Sequence, residues 1–280
     1  PWAAGSSAIS VTVKGSQKSK GYSVFNDHYR NALKGNPFGW EAGYIIDGAH
    51  RDAVKQGIMG GVFDFTEHPV ESINYVECHD NQTLWDRINW VTRDDNRIHY
   101  EDRVLMDKLA AVLIMVSQGV PFIQAGQEFL RTKGGVGNSY NHPDSVNMIR
   151  WQDKLRFNEI YRYYRGLIHL RKAHPMFRLK TRDEVLNQLH FLDDHYHLEI
   201  PVPCIGFHLI RGNTGDPWKE IIVYINPDQN RHSVPLLPGP WKICVNSKEA
   251  VNGLVHHGHS IIHSSAFEIP PRSAIIAFKD

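Results

Sequence analysis

Cys78, His79, Asp80 and Asn81 form a knot of polar side chains inside the stretch from Ile73 to Asp86, INYVECHDNQTLWD. Just before it, Ile73, Tyr75 and Val76 are β-branched or aromatic and predict a short buried strand. Just after it, Thr83 is placed to cap a helix whose first turn carries Asp86. Polar groups crowded at the C-terminal end of a buried strand are where α/β folds put ligand chemistry. A carboxylate buried there is costly unless it is hydrogen-bonded, so Asp80 is expected to have partners. The alternative is that His79 and Asp80 only pair with each other and hold the following loop. Spacing alone leaves both readings open.

A second group of candidate residues lies between Arg131 and Trp151, RTKGGVGNSYNHPDSVNMIRW. The stretch is too long for an ordinary connection, and loops of that length tend to carry function. Asn138, Tyr140, Asn141 and Asp144 are of types that suit sugar recognition. Planar amides and carboxylates make paired hydrogen bonds to adjacent hydroxyls, and an aromatic ring faces the apolar side of a pyranose. The competing expectation is a surface loop held by Asx-turns. Other charged groups have plainer uses. Asp27 and Arg30, where a strand over 22–27 meets a helix starting at His28, are expected to pair or to cap. Glu128 is expected to bond backbone amides. His195, His197, His256, His257 and His259 have no fixed ligand pattern with Cys or carboxylate partners, so no metal site is expected.

VECHDNQTLWD resembles the strand-seven motif of the α-amylase superfamily (glycoside hydrolase family 13), in the form found in type I pullulanases, which debranch starch and glycogen. Cys78 stands where the common amylases have Asn, a departure shared with the debranching branch. The resemblance implies that His79 and Asp80 hydrogen-bond sugar hydroxyls beside the scissile bond. It also makes Asp80 a catalytic residue that stabilises an oxocarbenium-like transition state. Gly119-Val120-Pro121 followed by Gly126-Gln127-Glu128 resembles strand eight of the same barrel, with Gly126 allowing the backbone to turn where a side chain would clash. Residues 138–144 resemble the NSYNSPD loop of type I pullulanases, with His142 in place of Ser. Pro1-Trp2 resembles the pair that follows the general-acid Glu at the end of strand five. DGAHRD, Asp47 to Asp52, mimics the DGFRFD pattern that carries the superfamily's nucleophile. However, Ala49 and His50 replace its Phe residues, and it stands after the strand-five position, so Asp52 is expected not to be that nucleophile.

The elements that must position these residues are legible in outline. After DGAHRD, the stretch from Ala53 to Gly57 is expected to be a surface helix ending at Gly57. Asp102 to Ser117 predicts a helix with one buried face, Leu105, Leu109, Val112 and Val116, terminated at Gly119. Ile160 to Ala173 predicts another, with Tyr161, Tyr164, Leu167, Ile168 and Arg171 at helical spacing. From about Lys180 the pattern becomes short alternating runs at 206–210, 221–225, 241–245 and 273–278, separated by turn signals, which predicts an all-β unit. The 280 residues allow one large domain and a small one, and a hydrophobic fraction of 41% allows a sizeable core. A net charge of +1 without charged blocks implies neither nucleic acid nor a membrane surface as partner. Three widely spaced cysteines predict a reducing, cytoplasmic setting without disulfides. Asn81-Gln82-Thr83 is a glycosylation sequon read as chance.

Together these readings predict an α/β plus all-β chain. Residues 1–178 are expected to be the C-terminal part of a (β/α)8 catalytic barrel, elements six to eight, and 179–280 a C-terminal antiparallel β-sandwich domain. The resemblance implies part of a retaining hydrolase of α-1,6 bonds acting on branched α-glucan (pullulan, limit dextrin or glycogen) without cofactor. Retaining hydrolysis needs a nucleophile and an acid/base. By the resemblance both lie before residue 1, so the chain is expected to be inactive without the N-terminal half of the barrel. The alternative is a non-catalytic α-glucan-binding or complementing subunit that uses His79, Asp80 and the 138–144 loop.

Overall fold

A computed structural model describes residues 13–256 and 261–280. Pro1-Trp2, His257 and His259 lie outside the described residues. Three short parallel strands, β1 (Val24–Phe25), β2 (Ser72–Asn74) and β3 (Val120–Pro121), lie in the order β1-β2-β3. Ser72 sits opposite Val24, and Ile73 opposite both Phe25 and Val120. The central strand is shorter than its β-branched run suggested. It stops at Asn74, whose carbonyl accepts from Phe122 N, while Tyr75 and Val76 continue as buried chain outside the ladder. Buried polar side chains tie the strands from below: Asn26 Nδ2 donates to Ser72 Oγ (3.0 Å), Ser72 Oγ to Asn74 Oδ1 (2.8 Å), and Asn74 Nδ2 to Gln118 O (2.7 Å).

Helices α1 (Asp27–Lys34), α2 (Tyr44–Asp47), α3 (Arg51–Ile58), α4 (Leu84–Val91) and α5 (Tyr100–Val116) fill the connections between these strands. Asn26 caps α1 by accepting from Tyr29 N (2.9 Å). The helix around Ala53–Gly57 is not the surface helix its polar residues predicted. Val54, Lys55, Gly57 and Ile58 are buried, because its small Gly57 lets α1 pack close against it. Helix α5 also departs from the expected single buried face. Nearly every side chain from Val104 to Val116 is buried, since α2, α3, α4, the next long helix and the last strand surround it. A helix apolar all round belongs inside a core.

After β3 come α6 (Asp144–Asn147), α7 (Asp153–Arg156) and α8 (Asn158–Ala173). The inward face of α8 is Ile160, Tyr163, Tyr164, Leu167, Leu170 and Arg171, while Ile168 is exposed and Tyr161 half-buried. The expected stripe was therefore correct at Tyr164, Leu167 and Arg171 but not at Ile168. The region beyond 179 is not purely strand: α9 (Arg182–Gln188) opens it, with a reciprocal cap between Thr181 and Glu184, and α10 (Leu192–His195) follows β4 (Leu189–Phe191). Strands β5 (Ile205–Ile210), β6 (Glu220–Asn226), β8 (Trp241–Val245), β9 (Ile261–Ile262) and β11 (Ser273–Lys279) join β4 in an antiparallel sheet of order β4-β5-β6-β11-β8-β9. A separate pair is formed by β7 (His232–Pro235) and β10 (Ala266–Ile269).

The period-two alternation of the strands divides the large sheet's two faces between two cores. Ile221, Val223, Ile225, Ala274, Ile276 and Phe278 face the helices and join a core that also holds Leu33, Ile45, Leu113 and Leu167. Ile222, Tyr224, Ile275 and Ala277 face the other way, with Trp241, Val234 and Ile269. The first core therefore runs across residue 178. Polar contacts reinforce that junction: Tyr44 Oη donates to Pro203 O (2.8 Å), Arg51 Nε to Cys204 O (2.8 Å), and His174 sits between Asp216 and Asn252 (2.8 Å each). Among the described residues, no helix is long and apolar enough to cross a membrane.

Candidate functional site

Beyond the C-terminal end of β2 the chain passes from buried Tyr75, Val76 and Glu77 out to His79 and Asp80. The Glu77 carboxylate accepts a hydrogen bond from Leu84 N, at the open N-terminus of α4, where a negative charge is favoured. Burial pushes its pKa up to about 7, against the pull of that amide and of Lys34 and Arg131. Lys34, close enough to Glu77 for the two charges to act on each other, donates to Gln82 O (3.3 Å), and burial pushes its pKa down to about 8. Thr83 caps α4 as its position predicted, its Oγ1 accepting from Asp86 N (3.1 Å). Being wholly buried, it accounts for the Thr of the sequon structurally.

The His79 and Asp80 side chains are 87% and 65% exposed, with Nε2 and Oδ1 3.4 Å apart. Asp80 was expected to be a strand-end carboxylate with hydrogen-bond partners. It is instead a solvent-facing one whose side-chain partner is His79, the mutual pairing that the alternative reading gave, with Asn81 at φ 62° in the turn that follows. This leaves them free for a ligand.

The long loop begins where Asp86 accepts from both Thr132 Oγ1 and Lys133 N, so the first turn of α4 holds the start of the loop. The Lys133 side chain then turns inward. Its Nζ donates to His79 O (3.2 Å), Asn81 O, Gly137 O (3.4 Å) and Ser139 Oγ (3.1 Å). Asn147 Nδ2 bonds Ser139 O (2.6 Å) and His142 O (2.9 Å), and Gln82 Nε2 bonds Gly135 O (3.3 Å). The loop is thus held mainly by long side chains reaching across it rather than by Asx-turns. Asn138, Tyr140, Asn141 and Asp144 are all exposed, Tyr140 at 83%, and Asp144 opens α6. The structure therefore brings the His79–Asp80 segment and the 137–139 segment around one ammonium group. Sequence reading missed Glu77, Asp86 and Lys133 as the groups that position this site. The only local signals were a Glu set in an apolar run and an Asp in a capped first turn.

The remaining candidates take structural places. Asp47 Oδ1 accepts from Ala49 N (2.9 Å), and DGAHRD forms the joint between α2 and α3, with His50 at φ 63° and Asp52 on the first turn of α3. Glu128 accepts from Gly126 N (2.9 Å), as expected of a carboxylate bonded to backbone amides. Gly126 has φ 100°, and a Cβ there would meet the Arg131 side chain at 2.8 Å. Asp27 and Arg30 do not pair with each other: Asp27 meets Lys14, and Arg30 Nη1 bonds Tyr75 Oη (2.7 Å). His195 stacks on His190 with ring centroids 4.1 Å apart, and no group of three or more metal-binding side chains exists among the described residues. Cys78, Cys204 and Cys244 are free thiols.

Comparison with known proteins places this geometry. Residues 187–249 match the model of the pullulanase all-beta domain. The pullulanase of Bacillus subtilis is 40% identical over 224 residues, covering 77% of this chain and 30% of that protein. The chloroplastic pullulanase 1 of Arabidopsis thaliana is 36% identical over 132 residues, 45% of this chain and 14% of its own length. Among solved structures, the pullulanase from Bacillus acidopullulyticus superposes with a TM-score of 0.88 at 39% identity, covering 98% of this chain and 33% of that one. The Anoxybacillus pullulanase complexed with maltotetraose superposes with a TM-score of 0.80 at 34% identity, over 92% of this chain and 35% of its own. The chain spans about a third of the length of these bacterial relatives. With that mixture of helices and antiparallel sheet shared along nearly all of its residues, the chain belongs to the pullulanase family.

Proposed function

We propose that this chain works as a portion of a starch- and glycogen-debranching hydrolase and supplies α-glucan contacts and transition-state stabilisation at the mouth of its barrel. Residues 1–178 are the C-terminal part of a (β/α)8 barrel, with β1, β2 and β3 as its elements six, seven and eight, and residues 179–280 form an antiparallel sandwich domain. The substrate is a branched α-glucan cleaved at α-1,6 bonds with retention, without cofactor, in a reducing cytoplasmic setting. One observation carries the reading: an exposed His–Asp pair stands beyond the C-terminal end of the middle strand of a parallel sheet, beside a loop of exposed amide, phenol and carboxylate groups. Relatives solved with maltotriose and maltotetraose support glucan as the ligand class.

His79 and Asp80 bond adjacent sugar hydroxyls, and Asp80 tightens its hold as the ring gains oxocarbenium character. Asn138, Asn141 and Asp144 bond further hydroxyls, and the ring of Tyr140 covers an apolar sugar face. The nucleophile and the acid/base come from the rest of the enzyme, so the chain alone binds glucan without hydrolysing it. Calorimetric titration with maltotetraose, beside a reducing-sugar assay on pullulan, tests this. Binding should appear without turnover, and His79→Ala or Asp80→Asn should weaken it at least tenfold. A chain that gives no heat with maltotetraose, or whose binding ignores both substitutions, refutes the reading. If adding the remaining barrel from a relative restores no hydrolysis, the chain is instead a non-catalytic glucan-binding subunit.

A further inference from the structure

Lys133 is only 2% exposed, and the four atoms its ammonium bonds are three carbonyl oxygens and one hydroxyl. Burying an ammonium is unfavourable unless its donors are satisfied, and here three backbone carbonyls and the Ser139 hydroxyl, all neutral, share its three N–H donors. Such an ammonium gathers chain rather than neutralising a carboxylate. The gathered atoms come from the two segments that carry the exposed candidate residues. With His79 O and Asn81 O turned inward to Nζ, the side chains of His79 and Asp80 face solvent. Ser139, buried and bonded to the same Nζ, lies between exposed Asn138 and Tyr140, so the alternation of the chain turns those neighbours outward.

The anchor of the lysine closes a circuit. Its own N–H is held by Asp86 (2.8 Å), Asp86 lies in the first turn of α4, and α4 is capped by Thr83 of the same stretch that carries His79. A long side chain fixed at its backbone has its Nζ fixed too, which sets the distance between the segments it joins. Burial also lowers the Lys133 pKa, against the carboxylates of Asp86 and Glu77.

We propose that Lys133 is a positioning residue for glucan binding: it touches no sugar but sets the spacing between the His79–Asp80 pair and the Asn138–Tyr140 pair, so that both grip one glucan chain. This rests on the glucan reading of the site. Cys78 offers a readout independent of that reading. Its half-buried thiol adjoins His79, with Sγ 3.9 Å from Asp80 O, whereas Cys204 and Cys244 are buried elsewhere. The experiment measures thiol modification by an aromatic disulfide reagent and maltotetraose binding by calorimetry, on the full chain and its Lys133→Met variant.

Cys78 in Lys133→Met should react at least tenfold faster while Cys204 and Cys244 stay protected, and affinity for maltotetraose should fall at least tenfold. Lys133→Arg, which keeps charge and donors, should recover part of both. If Lys133→Met exposes all three thiols by unfolding, Ser139→Ala, which removes one acceptor, takes its place with an expected two- to fivefold change. Unchanged Cys78 reactivity, or faster reactivity with unchanged affinity, overturns the proposal. If the unsubstituted chain binds no maltotetraose, the glucan reading falls and takes the positioning role with it, whatever the Cys78 rates show of the brace.

Discussion

Asp107, on α5, is a carboxyl group that the fold holds in its protonated form at neutral pH. Burial pushes its pKa up to about 8, only partly offset by the hydrogen bond it accepts from Tyr164 Oη (2.9 Å). Its value in an unfolded chain is about 3.9. Between those values the folded state keeps a proton that the unfolded state has released, so this group's contribution to stability is greatest at low pH and falls as pH climbs towards about 8. Glu77 adds a decline of the same sign that ends near pH 7. Asn at 107 does not titrate, so Asp107→Asn should lose this part of the decline. Thermal unfolding of both proteins across pH 4 to 8 should show the difference moving in favour of the variant by on the order of 5 kcal/mol. A difference that stays constant across the window would mean that the carboxyl is ionised in the fold.

At the scale of elements, α3 shows how a packing contact reverses a local rule. Gly57 lies inside this helix, where Ala is ordinarily preferred by about 1 kcal/mol. A Cβ at this position would lie 2.0 Å from Cδ2 of Tyr29 on α1. Tyr29 has no room to retreat, being fully buried and bonded through its hydroxyl to Ser117 Oγ (2.8 Å). Gly57→Ala should therefore destabilise rather than stabilise, by about 1–3 kcal/mol as an overpacked core does, measured by denaturant unfolding. In the middle of α8, Leu167 offers the opposite defect. It is wholly buried, and Leu167→Ala should cost about 2–5 kcal/mol in the same measurement through the cavity it leaves.

Over the whole molecule, the helical region and the large antiparallel sheet are fastened by charge as well as by a common core. Asp193 on α10 accepts from Arg51 Nη2 (2.5 Å) and from Lys55 Nζ (2.8 and 2.9 Å), both on α3. Burial alone would raise the Asp193 pKa, but the hydrogen bonds from Lys55 and Arg51 outweigh it and leave the pKa lowered. A lowered carboxyl pKa contributes stability that is present above the unfolded value and lost as pH falls through the folded one. Asp193→Ala leaves buried Lys55 with only Asp194 Oδ2 (3.0 Å) as its carboxylate partner and Arg51 with the Cys204 carbonyl, and should cost about 1–3 kcal/mol at pH 7. The gap between variant and unsubstituted protein should narrow as unfolding is measured in progressively stronger acid. If the gap is the same at pH 7 and below the folded pKa, Asp193 acts through packing and not through charge.

Features that depend on a few neighbouring residues could be read from the chain alone. Thr83 caps α4, Glu128 bonds a nearby amide, β5, β6, β8 and β11 fall on the four short alternating runs while β7, β9 and β10 went unread, and the His79–Asp80 knot stands out against the apolar run before it. Each is local: a hydroxyl three residues from an amide, or a side chain two residues from its neighbour on the same face. Other features depend on groups that meet only after the chain has closed on itself. Lys133 reaches carbonyls more than fifty residues away, Asp193 reaches α3 from 138 and 142 residues along the chain, and Gly57 matters only because Tyr29 lies against it. The exposure of Asp80 belongs with these, because the turn at Asn81, the ammonium beneath it and the cap beyond it act together. Local hydrogen bonding and periodicity are written into the order of residues, whereas the packing of remote segments is fixed by three-dimensional shape, and in this protein that packing assembles the site.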